Sequence, residues 1–305
     1  MAKYDVLALG DYYIDYIFTG LPSFPELGKE VFSQQFAAVP GGTYNAVIAM
    51  HRLGVKVGWA GDFGNDEFSK QVMAAARQEG LDCSLFEVHK QALRKITVSA
   101  SFADDRAFIS YCDPDPALPA GLKRLPTTSA RVLFLPGLYT GDLLEVGSRL
   151  VKLKGMKLVM DGNSSHATLA ETPGLEKVLR LADVFMPNAR EARRITGLDD
   201  LEGALRRLGE FCRLVVVKDG ANGSYACQNQ TITYARGMKV EPVDTTGAGD
   251  CFDAGFITAW LEGKPMALCL KWGNVVGALS TTALGGTGRV ITRNEVETCL
   301  KNWEG

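Results

Sequence analysis

The sequence predicts an α/β fold: a parallel β-sheet covered on both faces by helices, with a small β-sheet inserted as a lid. Short apolar runs of the buried, parallel kind recur along the chain and alternate with helix-patterned segments. Two stretches break that rhythm with alternating apolar and polar residues, as expected of a half-exposed sheet. The chain has 305 residues, 46% hydrophobic and 22% charged, which suits one globular domain over residues 1–305.

In chain order, residues 4–9 form an apolar strand that stops at Gly10-Asp11. Residues 42–53 form a helix, with Ala46, Val47, Met50 and Leu53 on one face. A strand over 55–60 and a helix over 66–78, ended by Gly80, follow. Strands over 132–135 and 158–160 flank a helix over 142–153, and 184–186 and 214–217 continue the series. The lid comes from about 12–39 and 92–113. Residues 30–39, 96–102 and 107–111 alternate, and the turn cluster Ala103-Asp104-Asp105-Arg106 joins the last two as a hairpin.

Composition excludes several classes. A net charge of −2 carries no basic footprint for nucleic acid. No apolar run is long enough for a membrane span, and the N-terminus lacks the pattern of a signal peptide. Seven cysteines without a C-x-x-C pair indicate reduced thiols and a cytoplasmic location. Three histidines without metal-ligand spacing argue against zinc.

The most informative stretch is Asp244-Thr245-Thr246-Gly247-Ala248-Gly249-Asp250, which runs into a helix patterned by Phe252, Phe256, Ala259 and Trp260. It places small residues at a helix N-terminus, where unpartnered N–H groups and the dipole favour an anion. Asp250 at the edge of an anion site is an unexpected carboxylate unless it handles a proton. A base beside a phosphate cradle is the apparatus of phosphoryl transfer to an alcohol. The sequence has no G-x-x-x-x-G-K-[ST], so this is not a P-loop.

The segment D-T-T-G-A-G-D-x-F-x-A-G-F resembles the C-terminal signature of the PfkB (ribokinase-like) family of sugar and nucleoside kinases. Pro40-Gly41-Gly42-Thr43-Tyr44-Asn45-Ala46, with Leu53-Gly54, resembles its N-terminal signature. The resemblance covers essentially the whole chain. It implies a Rossmann-like, three-layer α/β/α ribokinase-like fold with a β-sheet lid that often also mediates a homodimer. The implied reaction is ATP-dependent phosphorylation of a sugar hydroxymethyl group. A nucleoside kinase is the alternative within the class, and a non-catalytic regulatory or binding member lies outside it. The intact Asp250 speaks against the latter.

Site residues follow from the motifs. Asp250 is the expected general base, and Gly247, Ala248 and Gly249 form the anion hole. The resemblance puts Thr246, Gly247 and Gly249 on the phosphates. Asp11, Asp15, Gly41, Gly42 and Asn45 are the substrate-side set, since carboxylate and amide groups read vicinal hydroxyls. Asn188 and Glu191 resemble the family's N-x-x-E motif, which implies Mg²⁺ held through water; the same spacing also fits a capping box. Lys218, Gly220 and Gly223 resemble the nucleotide-binding turn, with Lys218 facing phosphate, and an ordinary β-turn fits as well. Asn274 is the polar candidate for an adenine pocket or, equally, a structural hydrogen bond. Asp244 braces the loop or, by resemblance, belongs to a K⁺ site with the 280–286 loop. Asp161-Gly162-Asn163 resembles a strand-end D-x-N, but Ser164-Ser165-His166 stand where the family often has Arg. Tyr12, Tyr13, Phe36, Phe102, Phe108 and Tyr111 are lid aromatics able to stack on a substrate.

Overall fold

A computed structural model describes residues 2–102, 106–139, 142–163 and 166–303. The turn at 103–105 and the Ser164-Ser165 pair lie outside the described residues. Among the described residues the main sheet has eight strands. Its parallel part comprises β1 (Tyr4–Leu9), β4 (Val57–Ala60), β9 (Ala130–Leu135), β10 (Lys157–Asp161), β11 (Val184–Met186) and β12 (Leu214–Lys218). At one edge β13 (Ser224–Gln228) and β14 (Thr231–Ala235) add an antiparallel hairpin. The sheet is therefore mixed where a parallel one was expected. The turn after β12 is too short for the crossover that a parallel return needs.

The helices are α1 (Thr43–Arg52), α2 (Glu67–Gln78), α3 (Ala120–Arg124), α4 (Asp142–Leu153), α5 (Leu175–Leu181), α6 (Ala189–Thr196), α7 (Leu201–Gly209), α8 (Ala248–Leu261), α9 (Met266–Ser280) and α10 (Arg293–Asn302). They divide into two apolar layers, one on each face of the sheet. Val6, Val132, Val159 and Val216 point to the α1/α8/α9 side; Leu7, Leu133, Leu158 and Val215 point to the α5/α6/α7 side. Successive strand residues alternate faces, so both cores are built from the same strands.

The helix after the glycine motif departs from expectation. Its apolar spacing reads as amphipathic, yet α8 is buried from Cys251 through Ala259. It lies between α1 and α9, and Gly255 allows the close approach: a Cβ there would sit 2.7 Å from the Trp272 carbonyl oxygen.

The lid is a four-stranded sheet of β2 (Tyr12–Thr19), β3 (Gln35–Gly42), β7 (Lys95–Ser101) and β8 (Arg106–Cys112), in the order β3-β2-β7-β8. Residues 30–34, expected in a strand, lie outside β3. The β2–β3 and β7–β8 pairs are antiparallel, but β2 and β7 run parallel. That pairing joins segments separated by α1, β4, α2 and a two-residue parallel pair, β5 (Asp62–Phe63) with β6 (Glu87–Val88). Tyr12 belongs to the core rather than to the lid's binding face. It stacks on Phe63 at 5.3 Å and donates to the Leu93 carbonyl.

Candidate active site

The site forms where the C-terminal ends of the strands meet the start of α8, below the lid. Gly247 is the N-cap of α8, with φ 73°. A Cβ there would fall 2.7 Å from Asn45 Nδ2 and 2.8 Å from Gly286 Cα, so both the backbone angle and the space require glycine. At Gly249 a Cβ would meet, among the described residues, only Lys218, with Nζ at 3.7 Å. The first turn of α8 is thus open on the side where its leading amides lack helical partners. An anion fits there.

Asp244 fixes this turn. Its Oδ1 accepts from the Thr246 amide at 3.0 Å and from Thr246 Oγ1 at 2.8 Å, and its Oδ2 accepts from the Gly285 amide at 2.8 Å. The carboxylate ties the loop before α8 to the loop after α9. The Thr246 hydroxyl gives its proton to this brace rather than to a phosphate.

Asp250 Oδ2 accepts from Asn45 Nδ2 at 3.2 Å. Burial pushes the Asp250 carboxyl up to about 7, and nearby Asp161 adds to the rise. The Asn45 hydrogen bond and Lys218 pull it back. Asn45 Oδ1 is buried and has no hydrogen-bond partner among the described residues. Asp15, on β2, is also raised to about 7, chiefly by burial and then by Asp244. Its carboxylate occupies the space of the missing Gly41 side chain; a Cβ at Gly41 would lie 1.9 Å from Asp15 Oδ2. Gly42, with φ 64°, hands the chain from β3 into α1. Asp15, Gly41, Gly42, Asn45 and Asp250 therefore converge. Asp11 stands aside, paired with buried Lys95 at 2.9 Å, and Lys95 also holds Asp115 at 2.5 Å.

The chain matches the pfkB family carbohydrate kinase model over residues 4–293. It belongs to that family. The kinase is 25% identical to the ribokinase of Haemophilus influenzae, over 94% of this chain and 95% of that one. Its fold superposes on Arabidopsis thaliana ribokinase complexed with ribose and ATP at a TM-score of 0.81, with 21% identity and 99% of both chains covered. It superposes likewise on a Vibrio cholerae fructokinase double mutant in a fructose-, ADP- and potassium-bound form, at 0.78 and 23%, over 98% of this chain and 99% of that one. The three-layer fold and the phosphotransferase class with an alcohol acceptor stand on these matches. No helix among the described residues is long and apolar enough to cross a membrane.

Three sequence candidates make contacts within the chain of this kinase. Lys218 does not present a free ammonium to a phosphate: its Nζ lies 3.0 Å from Asp161 and 3.0 and 3.2 Å from the two oxygens of Asp253. Asn274 donates from Nδ2 to the carbonyls of Ala235 and Arg236, at 3.1 and 2.9 Å, so its amide ties α9 to the end of β14. Asn188 and Glu191 form the reciprocal capping box, at 2.8 Å in each direction. That box leaves Glu191 Oε1 outside the pair, and burial and Asp161 raise the Glu191 carboxyl. Oxygen donors beside Asp161 suit a hard divalent cation. Among the described residues no group of three or more His, Cys, Asp or Glu is placed to hold a metal ion. Gly220 and Gly223, with φ 55° and 108°, shape the turn after β12; a Cβ at Gly223 would lie 2.2 Å from the Ala235 carbonyl oxygen.

Sequence reasoning missed Asp253 and Arg106. Asp253 is a fully buried carboxylate one turn beyond Asp250. Its signal was a charge inside an otherwise apolar helix. Arg106 donates from the lid strand β8 to Thr245, beside the glycine turn. Read as a turn residue, it gave no such signal.

Proposed function

We propose that this kinase transfers the γ-phosphoryl group of ATP to a hydroxymethyl group of a sugar, with Asp250 as general base and the 247–249 turn as anion hole. The observation that carries the reading is the contact of Asn45 with Asp250. It joins the two signature segments and leaves the Asn45 carbonyl oxygen buried and open to a hydroxyl donor. Asp15 and Asn45 orient the sugar, and Asp250 takes the proton of the attacking oxygen. A positioned base contributes about 10²–10⁴-fold. A carboxyl poised near 7 by burial can both accept that proton and release it. The amides at the start of α8 stabilise the charge on the transferring group.

Mg²⁺ supplies charge neutralisation of the phosphates, and Glu191 with Asn188 would hold it through water. Asp244 and the loop that follows α9 would frame K⁺ mainly with backbone oxygens. Gly220 and Gly223 would line the nucleotide's edge of the sheet. β8 is exposed on both faces, with Ile109 and Tyr111 on one at 70% and 52% exposure and Phe108 on the other at 51%, which supports a homodimer formed through the lid. Free cysteines throughout suit a reducing, cytoplasmic setting.

The test is a coupled ADP-release screen with MgATP over ribose, fructose, ketogluconate-type acids, inositols and nucleosides. A sugar is expected to give turnover, and turnover with nucleosides alone would overturn the substrate class. Asp250→Asn should lower kcat by at least about 10²-fold with nucleotide affinity nearly unchanged. Full activity in that variant would overturn the mechanism.

A further inference from the structure

A buried ion cluster lies directly beneath the anion hole. Lys218 ends β12, Asp161 ends β10, and Asp253 stands one turn into α8. Their side chains are 10%, 7% and 0% exposed. An ammonium has three hydrogens. Here the three short contacts go to one oxygen of Asp161 and both oxygens of Asp253. The lysine therefore clamps the N-terminal part of α8 onto the ends of two parallel strands. An apolar pair of similar volume would pack the helix against the sheet at least as well. What the ionic cluster adds is a fixed ammonium next to Gly249, with two carboxylates held around it.

We propose that Lys218 is a positioning residue for Asp250: pinned by Asp161 and Asp253, it holds the N-terminal part of α8 and sets the charge environment in which Asp250 works. This rests on the reading of Asp250 as the base. Several charges face Asp250. Asp15 faces it from β2, Asp161 from β10, Lys218 from β12 and Asp253 from its own helix, while Asn45 of α1 donates to it. Across the cleft, Arg106 of β8 reaches Thr245. Glu191 of α6 acts on Lys218 and Asp161. The two members of the cluster with the largest influence on Asp250 pull in opposite directions. Asp161 disfavours its ionised form, and Lys218 favours it.

That opposition separates a charge role from a merely structural one. The measurement is a ¹³C carboxyl titration of the full-length, unliganded protein, with the Asp250 resonance assigned by its disappearance in Asp250→Asn. In Lys218→Met the Asp250 midpoint should rise by about one pH unit, and in Asp161→Asn it should fall by about as much. A cluster that only packs would lower stability in both variants and leave the midpoint in place. An unmoved midpoint in folded Lys218→Met overturns the inference. Should that variant fail to fold, an unmoved midpoint in Asp161→Asn does the same. The titration needs no substrate, so its failure is distinct from failure of the functional reading, which full turnover by Asp250→Asn would show.

Discussion

Asp15, Asp82 and Asp250 are chemically identical side chains with opposite fates. Asp82 receives the Tyr4 hydroxyl at 2.6 Å, and that hydrogen bond holds its carboxyl down at about 2. Asp15 and Asp250 lose water on burial and sit near other carboxylates, so both rise to about 7. In the unfolded chain each titrates near the ordinary 3.8. The folded state therefore binds extra protons between about 4 and 7, and this favours folding at acid pH. The advantage is lost as pH rises through that window, leaving a penalty above it. Replacing Asp15 by Asn should remove its share. Thermal and denaturant unfolding should show Asp15→Asn more stable than the wild type by about 1–3 kcal/mol at pH 8, with a smaller gain at pH 5. Equal gains at both pH values would refute the assignment. As a motif, Asp250 was legible in the sequence. Its environment was not, because Asp161 and Asn45 reach it from distant segments.

At the scale of elements, the site depends on close approaches that only glycine allows. Gly41 on β3 leaves the space that Asp15 on β2 fills, and the two strands are paired throughout that stretch. Gly41 has no left-handed backbone angle, so a substitution there disturbs the pocket more than the chain. Gly41→Ala should displace the Asp15 carboxylate and raise KM for the accepted sugar at least about ten-fold, with a melting temperature close to the wild type. An unchanged KM would show that Asp15 does not read the sugar. The alternation of strands and helices was legible here, as were the bounds of α4 and the glycine entry to α8. The pairing of β2 with β7 and the complete burial of α8 were not. Both depend on which segments lie alongside, and periodicity records only the local face.

For the whole molecule, the lid and the α/β body meet beside the glycine turn through Arg106 and Thr245. A lid latched there would exclude water from the phosphates and limit futile hydrolysis. Arg106→Ala should raise sugar-independent ADP release relative to sugar-dependent turnover, measured in the same coupled assay. A ratio equal to the wild type would remove Arg106 from the latch. The sequence by itself pointed to the reaction class, because the glycine-rich helix start and the adjacent Asp250 are consecutive residues, 244–250, that carry the family signature. Tertiary structure alone decided which charges surround Asp250. Asn45 and Asp250 are 205 positions apart, and Lys218 and Asp161 are 57 apart. Contacts over such separations exist only once the sheet has brought its strand ends together, and burial then gives each charge far more influence than it has in water.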